Sequence, residues 1–179
     1  MQLLLDPTGE KTFQEVADAV MQAMPGDSLT TGYTKSVIWL RLSLNQPVNA
    51  AGSDWRLLVD NVQVNDIRFY LRSPDGTWLE QRAGRNYPHD VWPIKTRAPV
   101  FTMSLEPGTY QVLLRIQGGH TLSGAISLWS PRNFADFAIS ESFGFGAYFG
   151  AFFVHCCCSS FSGWLARSRV LVGTSFIQW

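Results

Sequence analysis

The sequence predicts an all-β fold, an antiparallel β-sandwich with a short N-terminal helix, followed by a C-terminal transmembrane helix. Three observations support this prediction. Short runs in which apolar and polar residues alternate recur between residues 37 and 129. Turn-forming pieces such as Ser73-Pro74-Asp75-Gly76 separate these runs. Residues 143–166 contain no Asp, Glu, Lys or Arg.

The N-terminal helix is predicted from its start signal and its periodicity. Thr12 precedes apolar residues that recur at a spacing near 3.6, and Glu15 stands three positions after the threonine. This arrangement is typical of a capping box, in which the threonine and the glutamate each bind the other's backbone N–H. We expect a short amphipathic helix over residues 13–23.

The strand that begins at Val37 shows the clearest alternation. One set of alternate residues is apolar throughout, which predicts that this face of the strand is buried. The apolar face carries Ile38, Leu40, Leu42 and Leu44, and the opposite face carries Val37, Trp39, Arg41 and Ser43. Further strands are predicted at 55–59, 67–71, 78–82, 100–105, 110–116 and 125–129. Strands of this length and spacing indicate a two-sheet sandwich over residues 1–135.

The uncharged segment 143–166 is long enough to cross a membrane. Its roughly 24 residues would span a hydrocarbon core of about 30 Å as a helix. Glu141 lies before it and Arg167 and Arg169 lie after it, so the positive-inside rule predicts a cytoplasmic C-terminus and an external sandwich. We therefore expect a juxtamembrane linker at 136–142 and a cytoplasmic tail at 167–179. The alternative for 143–166 is a buried glycine-rich hairpin.

Composition and motifs argue against several classes of function. Fourteen basic and fourteen acidic residues leave no net charge, so nucleic acid is not an expected partner. The three cysteines, 156–158, are consecutive, which suits neither a metal knuckle nor a disulfide framework. There is no Gly-x-Ser-x-Gly elbow, and the pattern places no pair of carboxylates across a groove. We predict no enzymatic activity, no cofactor and no metal site.

An ordered set of short motifs resembles a known family. The motifs are Gly32-Tyr33, Ile38-Trp39-Leu40-Arg41-Leu42, Trp55 with Leu57, Phe69-Tyr70, Gly76 with Trp78, Gly84, Pro88, Arg97-Ala98-Pro99 with Phe101, Pro107-Gly108 and Leu114-Arg115-Ile116. Together they cover about residues 3–132 and resemble the second type of extracellular domain of the 7TMR-DISM receptors, which are bacterial seven-transmembrane signalling receptors. The resemblance implies a jelly-roll sandwich similar to carbohydrate-binding modules. It also implies a periplasmic sensor on the inner membrane, in front of seven helices and a histidine kinase or diguanylate cyclase.

The two ends of the chain depart from that pattern. Residues 1–5 are followed at once by Asp6 and Pro7, without the basic and apolar regions of a signal peptide. Gly146-Ala147-Tyr148-Phe149-Gly150 resembles the start of the family's first transmembrane helix, but 154–160 no longer does. We expect a chain truncated or frameshifted after that start. Gly146 and Gly150 would also let two helices approach closely, as in a homodimer, although glycine is common in such helices anyway.

The expected ligand site combines a long loop with one sheet face. Loops of sandwich domains often carry function, and the irregular stretch 83–98 is the longest here. Aromatic rings beside guanidinium groups suit a saccharide or a carboxylate. The candidate ligand-binding residues are Trp39, Arg41, Tyr87, Trp92, Arg97 and Arg115. In the alternative interpretation, Trp39 packs under the helix and the arginines pair with Asp60 or Asp66.

Two classes of function follow from these patterns. The first is the ligand-sensing domain of a membrane receptor, and the second is a stand-alone carbohydrate-binding or adhesion module. The segment 143–166 favours the receptor, because an adhesion module needs no membrane segment directly after its last strand.

Overall fold

The computed structural model describes residues 1–24, 28–33, 36–50, 53–61, 63–118 and 121–174. They form ten strands and two helices. The strands are β1 (Gln2–Asp6), β2 (Gln22–Ala23), β3 (Ser28–Tyr33), β4 (Val37–Gln46), β5 (Asp54–Val59), β6 (Asp66–Arg72), β7 (Trp78–Ala83), β8 (Val100–Ser104), β9 (Gly108–Gln117) and β10 (Thr121–Trp129). The helices are α1 (Phe13–Ala17) and α2 (Pro131–Thr174).

The strands form two antiparallel sheets. The six-stranded sheet has the order β2-β1-β4-β9-β6-β7, and the four-stranded sheet has the order β3-β10-β5-β8. Strands distant in sequence are neighbours in both sheets, as in a jelly roll. The predicted jelly-roll-like sandwich is confirmed, and all seven predicted strands are present.

The main core lies between the two sheets. Ile38 and Leu40 of β4 are fully buried there, together with Leu57 of the four-stranded sheet. The rings of Phe69 and Phe101, one from each sheet, are stacked with centroids 5.1 Å apart. The two faces predicted for β4 are therefore correct.

A second apolar cluster covers the outer face of the six-stranded sheet. Trp39, Tyr70 and Leu113 contribute to it from three adjacent strands, and Val16 of α1 packs against them. Trp39 is only 1% exposed. The residues of the six-stranded sheet that point away from the main core are therefore partly buried too, because α1 packs over them.

Helix α1 is shorter than predicted. Its capping box is present, since the Thr12 hydroxyl accepts from the N–H of Glu15 and the Glu15 carboxylate accepts from the N–H of Thr12. The helix nevertheless ends at Ala17, and the predicted helical segment continues as β2, which pairs with β1. Val20, an apolar position of the helical pattern, is 94% exposed. Pairing with β1 outweighs the helical periodicity of this segment.

One side chain links the edges of the two sheets. The amide nitrogen of Gln81 on β7 donates to the carbonyl of Thr102 on β8, at 2.6 Å. The backbone N–H of Thr102 donates to the amide oxygen of Gln81, at 3.0 Å. Gln81 thus occupies the place that a further strand would take beside β8.

Residues Met1–Pro131 and Arg132–Trp179 form two separate compact units. In the second unit, α2 is one continuous helix, so the described residues show no hairpin at 143–166. The helix over Pro131–Ser160 is long and apolar enough to cross a membrane. Several of its phenylalanines, such as Phe143 and Phe153, are exposed. The boundaries of the linker, the membrane segment and the tail stay predictions, and residues 175–179 of the tail lie outside the described residues.

Candidate ligand-binding cleft

Three arginines stand side by side on the outer face of the six-stranded sheet. Arg82 on β7 lies opposite Arg68 on β6, and Arg68 lies opposite Arg115 on β9. Trp39 on β4 continues this line, because it lies opposite Arg115. We call Arg82, Arg68 and Arg115 the arginine row. Like charges directly opposite one another destabilise a sheet, so the row needs anions beside it.

Asp66 neutralises the inner part of the arginine row. Its Oδ2 accepts a 2.8 Å hydrogen bond from Nη1 of Arg115 and lies 3.2 Å from Nη2 of Arg68. Its Oδ1 accepts a 2.9 Å hydrogen bond from the Tyr87 hydroxyl. The side chains of Asp66 and Arg115 are only 7% and 11% exposed. Asp66 therefore fixes two guanidinium groups and anchors the loop that carries Tyr87.

Glu80 accompanies the outer arginine. Its Oε1 accepts a 2.7 Å hydrogen bond from Nε of Arg82. This pair is much more open than the pair at Asp66, since the side chains of Arg82 and Glu80 are 47% and 34% exposed. Solvent screens such a pair, so a ligand can compete for Arg82 more readily than for Arg115.

The surroundings of Arg68 and Tyr87 raise the pKa values of both side chains. Partial burial by itself lowers the pKa of Arg68, but the hydrogen bond and the charge of Asp66 outweigh burial and raise that pKa. Burial raises the pKa of Tyr87, and its hydrogen bond to Asp66 adds to the increase. Arg68 therefore stays cationic and Tyr87 stays a neutral hydrogen-bond donor across the physiological pH range.

An open cleft of about 460 Å³ lies above the row. One wall is the segment that leads into α1, and the floor is the outer face of the sheet. We call it the outer cleft. Its lining comprises Gly9, Glu10, Lys11, Thr12, Phe13, Gln14, Trp39, Arg68, Tyr70, Glu80, Arg82 and Arg115.

The outer cleft combines aromatic rings with cationic side chains. The rings of Phe13 and Tyr70 are stacked with centroids 4.8 Å apart, and the rings of Tyr70 and Trp39 are stacked at 6.2 Å. Nε1 of Trp39 is buried and has no hydrogen-bond partner within the described part of the chain. A ligand that combines an apolar surface with hydrogen-bonding or anionic groups fits such a lining.

Comparison with known families identifies the sandwich. Residues 1–130 match the family described as 7TMR-DISM extracellular 2. The chain belongs to this family. The predicted resemblance is confirmed, and the matched region ends just before α2. This 7TMR-DISM extracellular domain, followed by a helix able to cross a membrane, fits a membrane-anchored receptor sensor.

Similarity to other known proteins is weaker. No curated protein matches this chain in sequence. One solved structure, from work titled "Structural basis for the promiscuous specificity of the carbohydrate-binding modules from the beta-sandwich super family", shares 15% identity. The match covers 72% of this chain and 53% of that one, with a TM-score of 0.31. The chain thus spans about half the length of that structure.

The structure places the six predicted site residues in different surroundings. Arg115 and Trp39 line the outer cleft, and Tyr87 reaches the same network through Asp66. The pairing of Arg115 with Asp66 and the packing of Trp39 under α1 also match the alternative interpretation. Arg41 caps α1, since its Nη2 donates to the carbonyls of Val16, Ala17 and Ala19, at 2.6, 2.8 and 2.9 Å.

The two remaining candidates lie elsewhere. Trp92 packs against the core between the sheets, on the opposite face of the six-stranded sheet from Trp39. Trp92 is half-buried because its loop folds back onto that core. Arg97 is exposed in the same loop. The structure thus brings Arg115 and Trp39 together in the outer cleft and links Tyr87 to Arg115 through Asp66. The lining of the cleft does not include Arg41, Trp92 or Arg97.

Arg68 and Arg82 were not among the residues predicted from the sequence. The outward orientation of both side chains follows from the alternation in their strands. Because Ile67 and Phe69 face the main core, Arg68 must face outwards. The register of β7 against β6, which places Arg82 opposite Arg68, cannot be read from the alternation alone. Lys11 and Phe13 were missed as well, since only the fold brings the start of α1 over the sheet.

Proposed function

We propose that this chain is the ligand-sensing domain of a bacterial inner-membrane receptor and that the ligand binds in the outer cleft, facing the periplasm. The observation that carries the proposal is the arginine row, which lies in an open cleft beside stacked aromatic rings. Structural arginines alone would not require an open volume of about 460 Å³ above them.

The expected orientation in the membrane supports a periplasmic site. Arg167 and Arg169 follow the apolar part of α2, and cytoplasmic ends of membrane helices are rich in such residues. The sandwich precedes the helix and then lies on the periplasmic side. A ligand in the periplasm would therefore have direct access to the outer cleft.

A small saccharide or a carboxylate suits the lining of the cleft. Sugar rings present C–H surfaces that pack against aromatic side chains such as Phe13 and Tyr70. Hydroxyl or carboxylate oxygens would accept hydrogen bonds from the guanidinium groups. The segment 9–14, which forms one wall, offers further backbone and side-chain groups to orient the ligand.

A steric block tests where the ligand binds, whatever its charge. Full chain in detergent micelles would be screened with saccharides and carboxylates, with the melting temperature as the signal. Gln14→Trp enlarges an exposed, neutral side chain that lines the cleft and should abolish the shift caused by a hit. Val20→Trp adds a ring at an exposed position outside the lining and should leave the shift intact. Binding that survives Gln14→Trp would place the ligand elsewhere.

A further inference from the structure

We infer that the ligand carries a carboxylate group and that Arg82, next to Arg68, is the residue that receives it. This inference rests on the proposed function, because it names the chemical class of ligand for the same cleft. The carboxylate could belong to a small organic acid or to an acidic sugar, and both would present the same group to Arg82.

The balance of charge in the cleft is the first argument. Four cationic side chains line it, namely Lys11, Arg68, Arg82 and Arg115. Two acidic side chains, Glu10 and Glu80, share the lining, and Asp66 lies behind it as the partner of Arg68 and Arg115. Two more carboxylates, those of Asp6 and Glu15, accept hydrogen bonds from the wall formed by 9–14. The excess of positive charge therefore belongs to the arginine row, where three guanidinium groups have only two carboxylates beside them, those of Asp66 and Glu80. An anion removes this local excess, whereas a neutral sugar does not.

The second argument concerns hydrogen-bond donors. Arg68 and Arg115 direct donors to Asp66, and Arg115 also donates to Gln117 and to the carbonyl of Gly9. Arg82 uses Nε for Glu80, and none of the described residues accepts a hydrogen bond from its two Nη groups. A planar guanidinium with two adjacent open donors matches the two oxygens of a carboxylate.

The third argument is that Arg82 is held in position and yet open. Glu80 fixes the guanidinium from one side at 2.7 Å, while nearly half of the Arg82 side chain is exposed. An arginine that is already oriented loses less conformational entropy when it binds an anion. Arg72 lacks this arrangement: it lies on β6 over the Trp78 ring, at 5.7 Å, and lines a different cleft.

The test compares ligands that differ only in their charge. Glucuronate is paired with glucose, and succinate with succinamide. Each is titrated into the full chain in detergent micelles at constant ionic strength, and two-dimensional ¹⁵N NMR follows the indole N–H of Trp39 and the arginine Nε–H groups. We expect saturable shifts with at least one of the two acids and none, or much weaker ones, with its neutral partner. The acid that binds more tightly identifies the source of the carboxylate.

Two variants complete the test. Arg82→Gln should weaken binding of the acid by about tenfold or more, as expected for an anchor residue. Arg72→Gln removes the same charge from the neighbouring strand, β6, and should change the affinity less than about twofold, which separates a specific contact from general attraction. Glutamine is a neutral, polar replacement at an exposed site, so the fold should persist, and the spectra would show it.

The contrary outcomes distinguish a failure of the carboxylate inference from a failure of the proposed binding site. Equal binding of the acid and its neutral partner in the cleft would overturn the carboxylate inference and leave the proposed site standing. Acid binding that Arg82→Gln and Arg72→Gln weaken equally would overturn the role of Arg82. If neither the acids nor the neutral compounds shift the Trp39 and arginine signals, the carboxylate inference fails. A screen hit that Gln14→Trp does not affect is the separate result that would overturn the cleft itself.

Discussion

Asp66 and Arg115 form a buried ion pair, with a 2.8 Å hydrogen bond between Oδ2 and Nη1. The pair joins β6 to β9 beneath the outer cleft, and the same carboxylate holds Arg68 and Tyr87. The floor of the candidate site is therefore also part of the framework of the domain. Substitutions in this region should therefore change the free energy of unfolding by very different amounts, depending on how deeply the replaced side chain is buried.

We expect Asp66→Ala to lower the free energy of unfolding by about 3–5 kcal/mol, because it leaves the buried charge of Arg115 without its partner. Glu80→Ala removes a pair of similar length in an exposed position and should cost about 1 kcal/mol or less. Urea denaturation of both variants measures the difference. Equal losses would show that Asp66 is not the central anchor.

Leu40→Ala tests the main core. Leu40 is fully buried between the sheets, so the truncation should cost roughly 2–5 kcal/mol. Leu79→Ala serves as the control, since Leu79 is 47% exposed, and it should cost about 1 kcal/mol or less. A loss below about 0.5 kcal/mol for Leu40→Ala would contradict the assignment of the faces of β4.

Gly84 begins the long loop where it passes close to Asn65. Its φ is 118°, and an added Cβ would lie 2.6 Å from the carbonyl oxygen of Asn65. Gly76 also has a positive φ, 86°, but an added Cβ there meets no atom within 4 Å. Gly76→Ala should therefore cost only the backbone strain, about 1–2 kcal/mol, and Gly84→Ala should cost clearly more. Thermal unfolding would rank the two variants, and the reverse order would be inconsistent with this packing.

Asp6 should make stability depend on acid pH. Burial by itself raises the pKa of Asp6, but hydrogen bonds from the Lys11 N–H, the Thr8 hydroxyl and the Gly9 N–H lower it below the usual value. Its stabilising contribution is then present above a pH of about 4 and is lost as the pH falls through the lowered pKa.

The test is the free energy of unfolding as a function of pH. Asp6→Asn cannot lose a charge, so its stability should fall less steeply than that of the wild type below a pH of about 4. At neutral pH the variant should be less stable, by roughly 1–3 kcal/mol, because the charge-assisted hydrogen bonds are weakened. Parallel curves for the two proteins would argue against a lowered pKa of Asp6.

The predicted topology can be tested with reporter enzymes. With an export signal placed before Met1, a reporter that works only in the cytoplasm should be active when fused after Trp179, since Arg167 and Arg169 favour the cytoplasmic side. Replacing both arginines by glutamate should reduce this activity. A reporter active only in the periplasm at that position would reverse the predicted orientation.

The alternation of apolar residues explains why the sandwich could be predicted. In β4, Ile38 and Leu40 face the main core, as the two-residue periodicity of a strand predicts. The helix over 13–23 was wrong beyond Ala17, because the pairing of Gln2 with Ala23 is a long-range contact that periodicity does not contain.

The candidate site was predicted only in part, for a similar reason. Arg115 was found from the face it shares with Trp39, which the pairing of these residues confirms. Arg82 depends on the register between two strands, and Lys11 depends on the path of the chain before α1. The half-buried position of Trp92 depends on how its loop folds back, which no short pattern encodes.

The double hydrogen bond between Gln81 and Thr102 has a consequence for self-association. An unpaired edge strand offers its backbone N–H and C=O groups to any other extended chain, which is a common route to aggregation. At Thr102 both groups are already bonded to Gln81. A second molecule could not extend the four-stranded sheet past β8 at Thr102 without first displacing that amide, so this part of the edge is protected from strand addition between copies.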